Sequence, residues 1–272
     1  MAGLLVSCQK APVECEPDSK EIVIAVESDV VGTEVSTKTT AIASLPSTLY
    51  WGATTGSGSE TAKWSSASAS VSTSKISTGK YQTASPTTYN YYLSNLSMSV
   101  GANTTVTATG GTSGTDVICG RASSNSATPS VTLGHIFART GSLTINVPSG
   151  YTVTSVTWQI VKSGANTGTS GTYNLRTGSW SSCSGLASNT SITGSSDIYV
   201  VPGIYTITCS FTLTKGSFTK SYTETANVTL VAGKINNITA TTTTDEAVQV
   251  SFAVSISAWS DSQTNLTSAD FS

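Results

Sequence analysis

Few residues in this chain are of types that do chemistry, and their spacing narrows what they can do. Leu5-Val6-Ser7-Cys8 places an apolar residue three before a cysteine and a small residue just before it. That is the pattern of a bacterial lipobox, and it makes Cys8 the expected lipidation site. A signal peptide also needs a basic start and ~7–15 apolar residues. The residues before Leu5 supply neither in full, so either the true start lies upstream of Met1 or the match is chance. The single histidine, His135, shares strand parity with Val131, Leu133 and Phe137. It reads as a hydrogen-bonded core side chain rather than a general base. Asp116, Asp197, Asp245 and Glu246 are scattered and lack the spacing of a glycosidase pair. There is no phosphate loop, nucleophile elbow or zinc helix. The expectation is a protein that is not an enzyme and holds no cofactor and no metal.

Cys8, Cys15, Cys119, Cys183 and Cys209 match neither a zinc pattern nor a compact disulfide framework. Cys209 falls on the same face as Ile207 and Phe211, which makes it a small buried hydrophobe. Trp51, Trp64, Tyr89, Tyr91 and Tyr92 are side chains that can stack on sugars. Aromatics also dominate β-cores, and the alternation of Tyr89 with Tyr91 points inward.

The elements that position these residues are strands. The chain has 272 residues, 10% charged and 38% hydrophobic, with a formal net charge of −2. So little charge excludes a disordered polyelectrolyte and a nucleic-acid binder. Ser and Thr take the surface positions that Lys and Glu usually hold, and few stretches carry a helical period, so the fold class is all-β. Ser130 to Val161 reads as three strands by period-two alternation and marks the joint between two β-domains. Residues 1–20 are a signal remnant and polar linker, 21–135 an N-terminal β-sandwich domain, and 136–272 a C-terminal one. Glu21 to Val31 is a strand with Ile22, Ile24 and Val26 on one face. Gly120 to Thr128 reads as a loop, and Asn166 to Gly185 as turn-rich. Tyr199 to Leu213 reads as one strand, which Gly216 turns back into Phe218 to Val231. Val248, Val250, Phe252, Val254 and Ile256 alternate up to Trp259, and a polar tail follows. No segment approaches the ~20 apolar residues of a membrane helix, so any anchor is the lipid.

Together these features resemble the fimbrillin family of Bacteroidales, the Mfa-like and FimA-like type V pilins. The resemblance is carried by the lipobox, by Ser36-Thr37-Lys38-Thr39-Thr40, and by Asp116-Val117-Ile118 ahead of a strand ending His135-Ile136-Phe137-Ala138-Arg139. Val200-Val201-Pro202-Gly203 and the terminal Val/Ile alternation complete it. It covers most of the chain and is sharpest from Thr115 to Val147. It implies two transthyretin-like β-sandwich domains in tandem, export as a lipoprotein to the outer membrane and cell surface, and adhesion within a fimbria. It also implies proteolytic removal of the first strand. The processing site would be Lys38, and the groove so opened would take a strand from another fimbrial subunit. Val248, Val250, Phe252, Val254 and Ile256 are the donor-strand candidates. Two departures bear on this. Family members usually carry Arg at the cut where this chain has Lys38, and the tail after Trp259 lacks a second alternating run. The alternative is a lipid-anchored adhesin that does not polymerise and binds host or bacterial surface glycans or proteins, using Trp51 or Trp64.

Overall fold

The computed structural model describes residues 19–28, 45–56, 60–82, 87–112, 114–164, 166–186, 190–193, 198–242 and 250–258. Among these the chain forms strands and no helix. The first eight are β1 (Lys20–Ser28), β2 (Thr48–Thr55), β3 (Thr61–Ser70), β4 (Lys75–Gln82), β5 (Tyr89–Ser94), β6 (Thr105–Thr109), β7 (Ile118–Ser124) and β8 (Ser130–His135). Next come β9 (Ala138–Asn146), β10 (Thr152–Lys162), β11 (Ser170–Asn174), β12 (Ser179–Ser184) and β13 (Thr190–Ile192). The last are β14 (Tyr199–Val200), β15 (Gly203–Lys215), β16 (Phe218–Leu230), β17 (Lys234–Thr242) and β18 (Val250–Ala258). The all-β expectation holds.

A seven-stranded sheet runs β3-β2-β5-β7-β8-β1-β4. Its strands share one core, with Ile22, Ile24 and Val26 of β1 packed among Trp51, Ile76, Tyr91, Leu93, Val131 and Leu133. Two four-stranded sheets, β13-β10-β15-β16 and β14-β9-β17-β18, enclose a second core. β15 and β16 form its longest hairpin. Tyr205, Ile207, Cys209, Phe211 and Leu213 point in, and the intervening Thr and Ser residues point out. Gly216 takes φ 61° at the first position of the two-residue loop, where a left-handed residue matches the strand twist. A three-stranded sheet, β12-β11-β6, joins the two regions. β6 lies before the boundary expected at 135 and 136, and its partner β11 lies after it. Phe137, Ile136, Tyr92, Leu175 and Val201 form a third core there.

The structure corrects several expectations. Gly120 to Ser124 is not loop: it continues β7 and pairs with β5 from Leu93↔Gly120 to Tyr89↔Ser124. The segment 170–184 is a hairpin of β11 and β12, held by the pairing of β11 with β6. Tyr199 to Leu213 is broken at Pro202, which has no N–H for a ladder, so β14 and β15 lie in different sheets. Val156 is exposed, although Trp158 and Ile160 are buried as expected. A bulge between Thr154 and Thr157, with Ser155 at φ 53°, shifts the alternation by one residue.

Candidate assembly site: the first strand and its groove

β1 is an inner strand, although it opens the described chain. It pairs antiparallel with β4, Ile24 opposite Ile76, and parallel with β8, Val26 opposite Val131. Its β-branched residues suit a pleated, half-buried surface, and alternate ones sink Ile22, Ile24 and Val26 to 0%, 0% and 3% exposure. Val23 N–H donates to Ala127 O at 2.9 Å and Ala25 N–H to Pro129 O at 2.8 Å, while Val26 N–H donates to Ser74 O at 2.9 Å. Side chains fix the register at both ends. Thr78 Oγ1 donates to Ile22 O at 2.7 Å, and Glu21 Oε1 accepts from the Ser77 hydroxyl and from Gly79 N–H at 3.2 Å. At the far end Ser130 Oγ donates to Glu27 Oε1 at 2.8 Å. Without β1, the groove between β4 and β8 would present unpaired backbone groups and an apolar floor of Ile76, Val131 and Leu133. Each buried polar group left unpaired costs about 1–3 kcal/mol.

Of the donor-strand candidates, Val250, Phe252, Val254 and Ile256 lie on one face of β18. The first three are half-buried against the second core. β18 is a sheet edge, bonded to β17 in a register running from Lys234↔Ala258 to Thr242↔Val250. In this state it closes its own sandwich. Cys8, Lys38 and Val248 lie outside the described residues.

His135 sits at the end of β8, where its Nδ1 lies 2.8 Å from Asp116 Oδ2. Asn95 pins the same segment by donating to Asp116 O at 2.7 Å and accepting from Ile118 N–H at 3.1 Å. The pair therefore ties β7 to β8 beside the groove. Cys119 and Cys209 are buried, and desolvation pushes both thiols up to about 12. Among the described residues, no group of three or more His, Cys, Asp or Glu could hold a metal ion.

Trp51 is 2% exposed, which overturns its reading as a sugar-stacking residue. Trp51, Trp64, Tyr89 and Tyr91 form a chain of ring contacts, with successive centroids 5.9, 5.1 and 6.2 Å apart.

One charged cluster has no signal in the sequence. Glu60 is 1% exposed. Its carboxylate accepts from Thr54 Oγ1 and Tyr92 OH, each at 2.5 Å, and from Asn90 Nδ2 at 3.1 Å. Arg121 Nη2 lies 3.3 Å and Arg176 Nε 3.4 Å from Oε1. Arg176 comes from the β11–β12 turn, so the cluster clamps the seven-stranded sheet to the joining sheet. Glu60 stands alone beside a Gly/Ser loop, and nothing in its neighbours distinguishes it from a solvated acid.

No family model matches the chain, and no curated protein matches it. Solved structures do. A fimbrial protein from Bacteroides vulgatus superposes with TM-score 0.58 at 11% identity, over 88% of this chain and 99% of that one. A proposed cell adhesion protein from Parabacteroides distasonis gives TM-score 0.56 at 11% identity, over 90% and 98%. A fimbrial assembly protein from the same species gives TM-score 0.50 at 12% identity, over 88% and 99%. The resemblance read from the residues is thus matched in the fold over nearly the whole chain. None of the three is described as an enzyme.

Proposed function

We propose that this protein is a structural or accessory subunit of a fimbria on the cell surface, contributing to adhesion and assembled by exchange of strands between copies. The observation that carries the reading is the position of β1. It is nine residues long, lies near the N-terminal end, and is bonded on both sides within a finished sheet. Cleavage at Lys38 would free it from the chain while leaving the rest of the polypeptide intact. Burial of an Ile or Val side chain is worth about 1.5–3 kcal/mol, and the emptied groove would recover that energy from a strand of matching alternation. Val248, Val250, Phe252, Val254 and Ile256 have that alternation. Acylation of Cys8 would hold the precursor at the outer membrane until it is cut. The fold shared with fimbrial proteins supports this reading.

Immunogold labelling of cells producing the full chain tests it. Label along surface filaments, lost with Lys38→Ala, is the expected result. Label confined to the cell body in both cases would contradict it.

The second reading, a lipid-anchored surface module that does not polymerise, is favoured by one observation. β18 already occupies a full register against β17 in its own sandwich. That reading now needs a ligand surface that does not depend on Trp51.

A further inference from the structure

Among the described residues, the β15–β16 hairpin ends in an open edge. β16 is the last strand of its sheet and is thirteen residues long. Lys215 and Phe218 flank the two-residue loop, so they exchange backbone bonds, and bonding alternates from there. The even-numbered residues of β16 therefore bond to β15. The backbone groups of Thr219, Ser221, Thr223 and Thr225 point away from the sheet. We propose that this edge pairs with β16 of a second copy, antiparallel and centred on Tyr222.

Three features select that partner and that register. The first is charge. Lys220 and Glu224 are the two charged residues near the middle of β16 and lie on the same face as Tyr222. With Tyr222 opposite its own copy, Lys220 stands opposite Glu224 twice. A shift of four residues one way puts Lys220 against Lys220, and the other way puts Glu224 against Glu224. Shifts of two residues leave both charges facing apolar or aromatic residues. The second is apolar matching, since the same register sets Phe218 against Ala226 and Tyr222 against Tyr222. The third is the outer face. Within the hairpin, Thr208 meets Thr225 at 3.1 Å, Ser210 meets Thr223 at 2.9 Å and Thr212 meets Ser221 at 2.9 Å, hydroxyl to hydroxyl. The paired edge continues this ladder, placing Ser221 against Thr223 and Thr219 against Thr225. The backbone groups fit as well, because the residues whose groups point outward then face one another. In the free chain Lys220 Nζ rests 5.1 Å from the centroid of the Tyr222 ring.

This pairing concerns the uncut chain and requires neither cleavage nor a fimbria. Sedimentation velocity of the full chain from roughly 1 µM to 1 mM tests it. A monomer–dimer equilibrium is expected. Lys220→Glu should weaken it roughly tenfold or more, because two cross-strand attractions become repulsions. Lys220→Glu with Glu224→Lys should restore it. Thr223→Pro should abolish it with an unchanged melting curve, since the lost N–H faces solvent and not β15. A chain monomeric throughout the range would overturn the proposal, and Lys220 would then act as a guard of the edge. Dimers as tight in Lys220→Glu as in the native chain, or unrestored by the double swap, would overturn it too.

Discussion

Ile24 of β1 stands opposite Ile76 of β4, and neither side chain is exposed to solvent. Among the described residues, β4 has β1 as its only ladder neighbour in the sheet. The first strand therefore does two things: it seals the core over Ile76, and it ties the outermost strand to the body. Ile24→Ala should cost about 2–5 kcal/mol, read from urea unfolding of the uncut chain. Val23→Ala, on the opposite face of β1, should cost less.

Glu60 should matter to stability far more than its place beside a polar loop suggests. Glu60→Ala leaves Arg121 and Arg176 without their shared carboxylate and removes the acceptor of the Tyr92 hydroxyl. The expected loss is about 3 kcal/mol. Arg176→Ala, at a side chain 28% exposed, should cost about 1 kcal/mol. A double-mutant cycle between the two checks the coupling. Additive losses would show that the clamp holds nothing.

The thiols give a pH dependence with a definite sign. Burial raises Cys119 and Cys209 from the ordinary 9.0 to about 12, so the folded state keeps protons that the unfolded state gives up. Their contribution is whole below pH 9 and is lost as pH rises from 9 toward 12. Unfolding followed by denaturant across that range checks it. At neutral pH a thiol reagent should spare both in the native protein, and Cys209→Ala should cost roughly 1–3 kcal/mol.

Strong alternation was legible in the sequence, and its limits were physical. β8, β15 and β18 could be read because one face is apolar and the other is not. β3, with TAKWSSASAS, has almost no apolar face and is a strand because β2 pairs with it. β7 beyond Cys119 is likewise held by β5 rather than by its own composition. Buried β5 could be read as aromatic, but not that Tyr92 faces a different core from Tyr91. The first strand was visible as Ile22, Ile24 and Val26. Its place between β4 and β8 depends on contacts with segments some fifty to one hundred residues away, which no local pattern encodes. The Glu60 clamp was invisible for the same reason, since Arg176 reaches it from another sheet.

Cys8 should be acylated when the chain is produced with a complete signal peptide. A fatty-acid analogue should label the native sequence and fail to label Cys8→Ala. Equal labelling of the two would remove the lipid anchor from the account.

In the proposed assembly, β1 is a removable strand whose loss makes the protein polymerise. Limited trypsin digestion followed by size-exclusion chromatography and mass spectrometry measures this directly. A cut after Lys38, departure of the segment carrying Ile22, Ile24 and Val26, and a shift of the remaining chain from its uncut elution position to larger species is the predicted result. A cut chain that retains its first strand and elutes unchanged at high concentration would contradict it.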